Sequence, residues 1–350
     1  MVSVVPNASL LVYNTFGIDC RARNLAVVEC EGDLDELLRN GLLHRGEYIA
    51  IGQGSNLVFG EWYDGTVVVM RNKGFQLVGE TESSVSVKVA AGEIWDDFVK
   101  KSIASGWYGI ENLVAIPGTV GAAAVQNIGA YGSESSDVVE SVETFDSETG
   151  NTVKFLAGEC AYGYRNSRFK QSDKGRYVVT SVTFRLSKTF TPQLDYKPIA
   201  DALGTGSTNA STLADTIECI RWSKLPKPDE MGSAGSFFKN PVVSMGEYEV
   251  LKMQYPDMPA HAAHGGYKLA AGWLIEKCGW KGRSLGRCGV YEKQALVLVN
   301  RCGCNGNEVR KLAEAIAGDV KQKYGISLEY EAEFVGFEGD RYKKHDGHKR

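Results

Sequence analysis

Valine alternates with serine and lysine from Ser84 to Val89, so every second side chain faces the same way, which is the period of a half-buried strand. Residues 48–51 form a shorter apolar run closed by Gly52 and read as a second strand. From Ile94 to Ser105 the period changes. Ile94, Trp95, Phe98, Val99 and Ser102 fall on one helical face, and Gly106 stands where a C-terminal cap belongs. Strand patterning returns at 138–145, 152–156 and 177–186, separated by the turn formers Asp146, Gly150 and Gly175. The first half is therefore mixed α and β.

After Lys188 the chain becomes rich in Pro, Gly, Ser and Thr through Asn209, as expected of a connector, and the next domain is expected to begin near Ser211. Helical periodicity covers 212–222, 245–255, 268–278 and 308–323, with Gly279 and Gly325 as stops; strands are predicted at 295–299 and 326–334. The pattern is α+β, without an internal repeat. It predicts units at 1–70, at 71–210 including the connector, and at 211–337, followed by a polar tail at 338–350 expected to be disordered.

With 43% hydrophobic residues among 350, a substantial core is available. The charge is −4, from 39 basic and 43 acidic residues, and no basic stretch precedes the tail, so no nucleic-acid partner is expected. There is no run of about 18 apolar residues to span a bilayer. The start, MVSVVPNASLLVYNTFG, lacks the cationic and long apolar segments of a secretory signal, so a cytoplasmic protein without a membrane partner is expected. The eight cysteines contain no CxxC, and most are expected to be free thiols. Cys288, Cys302 and Cys304 have the wrong spacing for a zinc ribbon and no neighbouring histidine, so no metal is expected. His345 and His348 lie in the tail, which leaves His44, His261 and His264 as the histidines of interest.

Two glycine-rich stretches carry candidate chemistry. In Gly52-Gln53-Gly54-Ser55-Asn56-Leu57 a strand runs into small residues whose backbone N–H groups and hydroxyls can approach phosphate oxygens. A dinucleotide fingerprint needs a third glycine at 57 and a helix after it; Leu57 and strand-like sequence stand there instead. Alone, the motif fits a tight turn as well as a phosphate cradle. The second stretch, IPGTVGAAAVQNIGAYG from Ile116 to Gly132, has mostly small side chains over which backbone can meet a flat ligand or a pyrophosphate, or can simply pack tightly.

Together with GYRNS (163–167), GSAGSFFKNP (232–241), KLAAGWLIE (268–276) and LEYE (328–331), these stretches resemble the UDP-N-acetylenolpyruvoylglucosamine reductases, over about Asn14 to Gly336 and in family order. The resemblance implies an α+β protein: a vanillyl-alcohol-oxidase (PCMH-type) FAD-binding domain of two α+β subdomains, at 1–70 and 71–210, and a C-terminal α+β substrate domain at 211–337. It implies noncovalent FAD, NADPH as hydride donor, a small nucleotide-sugar substrate and reduction of its enolpyruvyl group to a lactyl ether, giving UDP-N-acetylmuramate. A monomer is expected. Gly52, Gly54, Ser55, Asn56 and Leu57 would hold the cofactor together with Pro117, Gly118, Gly121, Gly129, Ala130 and Tyr131. Arg165 matches the family's active-site arginine, Ser236 its proton donor and Glu331 its late glutamate. Tyr196, Lys224, Asn240 and Gln294 match substrate-binding positions, with Arg221 one helical turn before Lys224.

Two departures qualify the match. The longer form of the family closes a loop with a tyrosine over the substrate, whereas Pro259-Ala260-His261-Ala262-Ala263-His264 places His261 there in a shortened stretch. Tyr330 replaces the proline expected between Glu329 and Glu331. Two other readings stay open on sequence: a flavin oxidase of the same cofactor fold, and a nonredox nucleotide-sugar binding protein that has lost its flavin.

Overall fold

The computed structural model describes residues 2–204 and 206–337; the tail expected to be disordered, 338–350, lies outside the described residues. The valine alternation produces the strand Ser84–Ala90, with Val85, Val87 and Val89 buried and the residues between them half-buried. It belongs to a five-stranded antiparallel sheet in the order Thr152–Leu156, Val139–Asp146, Tyr177–Ser187, Ser84–Ala90, Phe75–Glu80. The helix Trp95–Ala104 packs on this sheet, placing Trp95 and Phe98 with ring centroids 5.9 and 4.9 Å from that of Phe184. Burying each phenylalanine contributes roughly 1.5–3 kcal/mol. Gly106 ends the helix at φ +74°, its N–H bonded to the Ile103 carbonyl.

The first sheet has the order Val4–Ser9, Arg21–Val28, Trp62–Met70, Tyr48–Ile51, the first pair antiparallel and the others parallel. The C-terminal part carries two small antiparallel sheets and the long helix Gly306–Tyr324. Asn305 and Glu308 cap that helix reciprocally, each side chain meeting the other's backbone N–H at 3.0 Å. Val309, Leu312, Ile316 and Val320 form its buried stripe, and Gly325 closes it at φ +74°.

One core joins the first sheet to the C-terminal part, running through Phe16, Phe59, Phe237 and Leu312. A second holds the five-stranded sheet. Leu213 and Ile217 of Ala210–Lys224, the helix expected to open the third unit, pack into this second core. The connector is also less bare than its composition predicts, since it contains the short helix Lys197–Leu203, with proline in its first turn and Ile199 buried.

Two predicted elements are corrected. The helix expected over 268–278 starts only at Ala271, because Gly266–Leu269 is a strand paired with both Ala260–Ala263 and Val242–Val243. The strand expected over 326–334 shrinks to Glu333–Val335, which pairs in parallel with Leu57–Phe59. Just upstream, the chain is pinned to Phe237 and Phe238: the Glu331 N–H donates to the Phe237 carbonyl at 2.9 Å and Tyr330 bridges Phe238. These single attachments replace a continuous ladder. Among the described residues no helix is long and apolar enough to cross a membrane, and no cluster of three or more metal-ligating side chains occurs. All eight cysteines are free thiols.

Candidate active site

The two glycine stretches come together, and their glycines are sterically required. A Cβ on Gly52 would lie 2.2 Å from the Thr119 hydroxyl oxygen, and one on Gly54, at φ +64°, would lie 2.2 Å from the Tyr13 carbonyl oxygen. Gln53 Oε1 accepts the Gly118 N–H at 2.7 Å, and the Ser55 hydroxyl donates to the Pro117 carbonyl at 3.2 Å. The Gly121 N–H reaches the Ala91 carbonyl at 2.9 Å.

Between these segments lies a cavity of about 410 Å³, lined by all six residues from Gly52 to Leu57 and by Thr119, Gly121, Ala122, Val125 and Gln126. Lys170, Lys174, Tyr177, Glu333 and Gly336 close its other walls. The small side chains and close backbone suit a long flat dinucleotide. The amide Nε2 of Gln126 is buried without a partner, an orphaned donor of the kind a ligand carbonyl satisfies. The residues therefore fit FAD.

The remaining predicted cofactor residues divide. Pro117 and Gly118 touch the glycine turn through the bonds above, outside the cavity lining. Gly129–Ala130 forms a hairpin with Ser133–Glu134, and the Tyr131 ring turns towards Tyr196, with centroids 5.0 Å apart.

Arg165 is in the left-handed backbone region at φ +53°, held by the Gly163–Asn166 bridge. Such a conformation costs an arginine roughly 1–2 kcal/mol. It aims the side chain at three acceptors from two distant parts of the chain. Nε meets Glu331 Oε1 at 2.8 Å, Nη2 the Gly129 carbonyl at 2.5 Å and Nη1 the Asn127 carbonyl at 3.5 Å. Two of the five guanidinium N–H groups then meet no acceptor among the described residues.

The Arg165 and Glu331 side chains are only 16% and 14% exposed, so their pairing is little screened by solvent. The Glu331 carbonyl accepts Asn56 Nδ2 at 2.9 Å, tying this pair to the glycine turn across 275 residues. Ser236 ends the strand Ser233–Ser236, next to the Phe237 carbonyl that receives the Glu331 N–H. Arg165 and Glu331 thus meet beside the cavity rather than in its lining, and Ser236 stands one residue from the carbonyl that anchors Glu331.

The predicted substrate residues fall into two groups. Lys224 Nζ donates to the Tyr196 hydroxyl at 3.4 Å, and the Arg221 guanidinium lies 5.9 Å from the Tyr131 ring centroid, forming one cationic and aromatic cluster. Burial pulls the Arg221 pKa below the usual arginine value. Asn240 belongs elsewhere: its Oδ1 accepts the Ala271 N–H at 3.0 Å, and it neighbours Tyr164, whose phenol burial pushes up. Gln294 Oε1 accepts the Leu296 N–H at 3.3 Å and bonds neither group. His261 is exposed on its strand, directly opposite Lys268.

Sequence reasoning missed Lys268, whose Nζ stands 4.8 Å from the Tyr164 ring centroid, because its segment read as a helix. Strand alternation opposite His261 would have found it. Lys170 and Gln126 were also missed as site residues; both line the cavity, Gln126 inside the second glycine-rich stretch and Lys170 three residues after GYRNS.

Residues 227–335 match the family model of the UDP-N-acetylenolpyruvoylglucosamine reductase C-terminal domain, and residues 22–156 match that of an FAD binding domain. The UDP-N-acetylenolpyruvoylglucosamine reductase of Paraburkholderia phymatum is 45% identical over 325 residues, covering 91% of this chain and 94% of that protein. The enzyme of the same description from Burkholderia mallei is 44% identical over 336 residues, 94% and 97% of the two chains. The crystal structure of the Thermus caldophilus reductase (MurB) superposes with a TM-score of 0.67 at 25% identity, covering 96% of this chain and 99% of that one. With the α+β FAD-binding domain and the C-terminal domain both present, the chain belongs to the UDP-N-acetylenolpyruvoylglucosamine reductase family.

Proposed function

We propose that this chain reduces the enolpyruvyl ether of UDP-N-acetylglucosamine to the lactyl ether of UDP-N-acetylmuramate, the peptidoglycan precursor, with Arg165, Ser236 and Glu331 as its catalytic residues. Bound FAD supplies the hydride, which it receives from NADPH. The carrying observation is the Arg165–Glu331 pair at 2.8 Å, assembled from distant parts of the chain and tied by Asn56 to the turn that lines the cofactor cavity.

The protein's own task is charge and proton handling. Hydride addition to the terminal vinyl carbon leaves negative charge on the neighbouring carbon and the carboxylate. The Arg165 guanidinium, permanently cationic and with N–H groups to spare, binds that carboxylate and stabilises the charge. The Ser236 hydroxyl donates the proton; it is an adequate acid only because its partner is a strongly basic enolate in a site that excludes water. Glu331 holds the guanidinium in register and shares in proton movement there.

In this reading Gly52, Gly54, Ser55 and Asn56 receive the pyrophosphate, and Leu57, Pro117, Gly118, Gly121, Gly129 and Ala130 border the remaining cofactor surface. Tyr196, Arg221 and Lys224 hold the substrate diphosphate; Tyr131, set among them, contributes to that cluster as well as to the cofactor side, and Asn240, Gln294 and His261 complete the substrate surface. Residues 1–70 and 71–210 clasp the cofactor, with the helix from Ala210 packed on that side, and the chain to 337 carries the substrate site. The enzyme acts as a cytoplasmic monomer.

The test is anaerobic reduction of the holoenzyme by NADPH followed by addition of the enolpyruvyl substrate. Substrate-dependent return of the oxidised flavin spectrum is expected. Rapid reoxidation by oxygen with none by substrate would refute the reading in favour of an oxidase, and a chain that takes up no flavin would refute it in favour of a binding protein.

A further inference from the structure

The cavity contains an ammonium group that the catalytic scheme does not use. Lys170 lines it, and its Nζ donates to Gln126 Oε1 at 2.5 Å and to the Arg165 backbone carbonyl at 3.3 Å. Both acceptors are neutral. The nearby carboxylate of Glu333 is engaged by Lys174, and no carboxylate pairs with Lys170 among the described residues. Burial outweighs the attraction of Glu333 and Glu331 and pulls the Lys170 pKa below the usual lysine value.

Gln126 faces the same cavity with its own Nε2 buried and unpartnered. With one lysine N–H left over, the pair offers several donors and one positive charge, and no acceptor of its own towards the space between them. A largely buried cation whose nearest carboxylates, Glu333 and Glu331, stand beyond ion-pairing distance is favoured further when a ligand brings negative charge closer. Through the Arg165 carbonyl this pair is also attached to the reacting end of the site.

FAD offers one matching chemistry at that end. The pyrimidine edge of its isoalloxazine ring presents acceptors, and on two-electron reduction negative charge collects along N1 and C2=O; charge placed there tunes the cofactor's electronics. We propose that the Lys170 ammonium, held by the Gln126 carbonyl, meets this edge and raises the reduction potential of bound FAD, while the Gln126 amide donates beside it. Lys170 is then a positioning and tuning residue of the cofactor. This inference rests on the reductase reading above.

The test compares the midpoint potentials of the wild-type, Lys170→Met, Lys170→Arg and Gln126→Leu holoenzymes by anaerobic titration against a reference dye, without substrate. Lys170→Met should weaken binding of reduced FAD relative to oxidised FAD about tenfold, a fall of about 30 mV for a two-electron couple. Lys170→Arg should restore most of it, and Gln126→Leu should shift the potential in the same direction as Lys170→Met. If Lys170→Met holds no FAD, Gln126→Leu decides, and a wild-type potential in that variant overturns the proposal. An unchanged potential in flavin-loaded Lys170→Met, with a raised KM for the enolpyruvyl substrate, would move Lys170 to the substrate and overturn it too. A wild-type chain that binds no FAD sinks the reductase reading and this inference together; loaded variants with wild-type potentials sink this inference alone.

Discussion

Replacing Arg165 by lysine keeps the charge and removes the fork. The guanidinium reaches Glu331 at 2.8 Å and the carbonyls of Gly129 and Asn127 at 2.5 and 3.5 Å, so its plane is fixed from three directions. A lysine ammonium at 165 is a single point on a flexible stem; satisfying Glu331 takes it away from the carbonyls and leaves no planar pair of donors for the substrate carboxylate. Backbone cost is no confounder, since lysine and arginine are equally strained at φ +53°. Loss of one preorganised charge stabiliser is worth about 2.7–4 kcal/mol, a slowing of roughly 100 to 1000 fold. In anaerobic stopped-flow traces this slowing should appear only in flavin reoxidation by the enolpyruvyl substrate, with reduction by NADPH at the wild-type rate. Equal slowing of both half-reactions, or none of the second, would refute the assignment.

Ser236→Ala should retain reduction by NADPH and lose reoxidation by roughly 100 to 1000 fold, read in the same instrument; normal turnover would remove Ser236 from the proton path. Gly54→Ala places a Cβ 2.2 Å from the Tyr13 carbonyl oxygen at φ +64°, and should cost about 1–3 kcal/mol in chemical denaturation and weaken FAD uptake measured by fluorescence. Burial would raise the Asp146 pKa, but hydrogen bonds from Arg176 and the Glu148 N–H outweigh it and hold the carboxyl below its usual range. The stability Asp146 contributes is therefore full above the unfolded carboxyl value of about 3.9 and is lost as pH falls through the lower folded value. Denaturation midpoints should show the wild-type advantage over Asp146→Asn constant down to about pH 4 and shrinking below it. A thiol reagent on the native protein should label exposed Cys30, Cys219 and Cys302 first, and buried Cys20 and Cys160, pushed up to about 12 and about 11, only on unfolding; early labelling of Cys160 would contradict the packing.

The elements legible in the sequence are those whose burial follows their own period. The strand at Ser84 and the helices at Trp95 and Gly306 carry their inward faces and caps locally. Where the partner decides, local pattern misleads. Lys268 stands in a helix-like string, yet pairing with two neighbouring strands draws Gly266–Leu269 into a sheet. The residues around Glu331 were expected to form a ladder and instead bond singly to Phe237 and Phe238. In the site, Arg165 and Glu331 stood out through their motifs. Lys170 and Gln126 did not, because a polar side chain in a helix end or short loop is ordinarily solvated, and only their shared cavity marks them.

The parallel pairing of Glu333–Val335 with Leu57–Phe59 has a consequence for how the enzyme is made. When the glycine turn leaves the ribosome, the segment that completes its surroundings has yet to be synthesised, and closing so long a loop comes late because its entropy must be met before any contact rewards it. The nascent protein can fold its early sheets, but it acquires the glutamate beside its arginine only when the far end of the chain docks. The Arg165–Glu331 pair therefore forms late, and a prematurely terminated product lacks both the strand that pairs with Leu57–Phe59 and the carboxylate that partners Arg165.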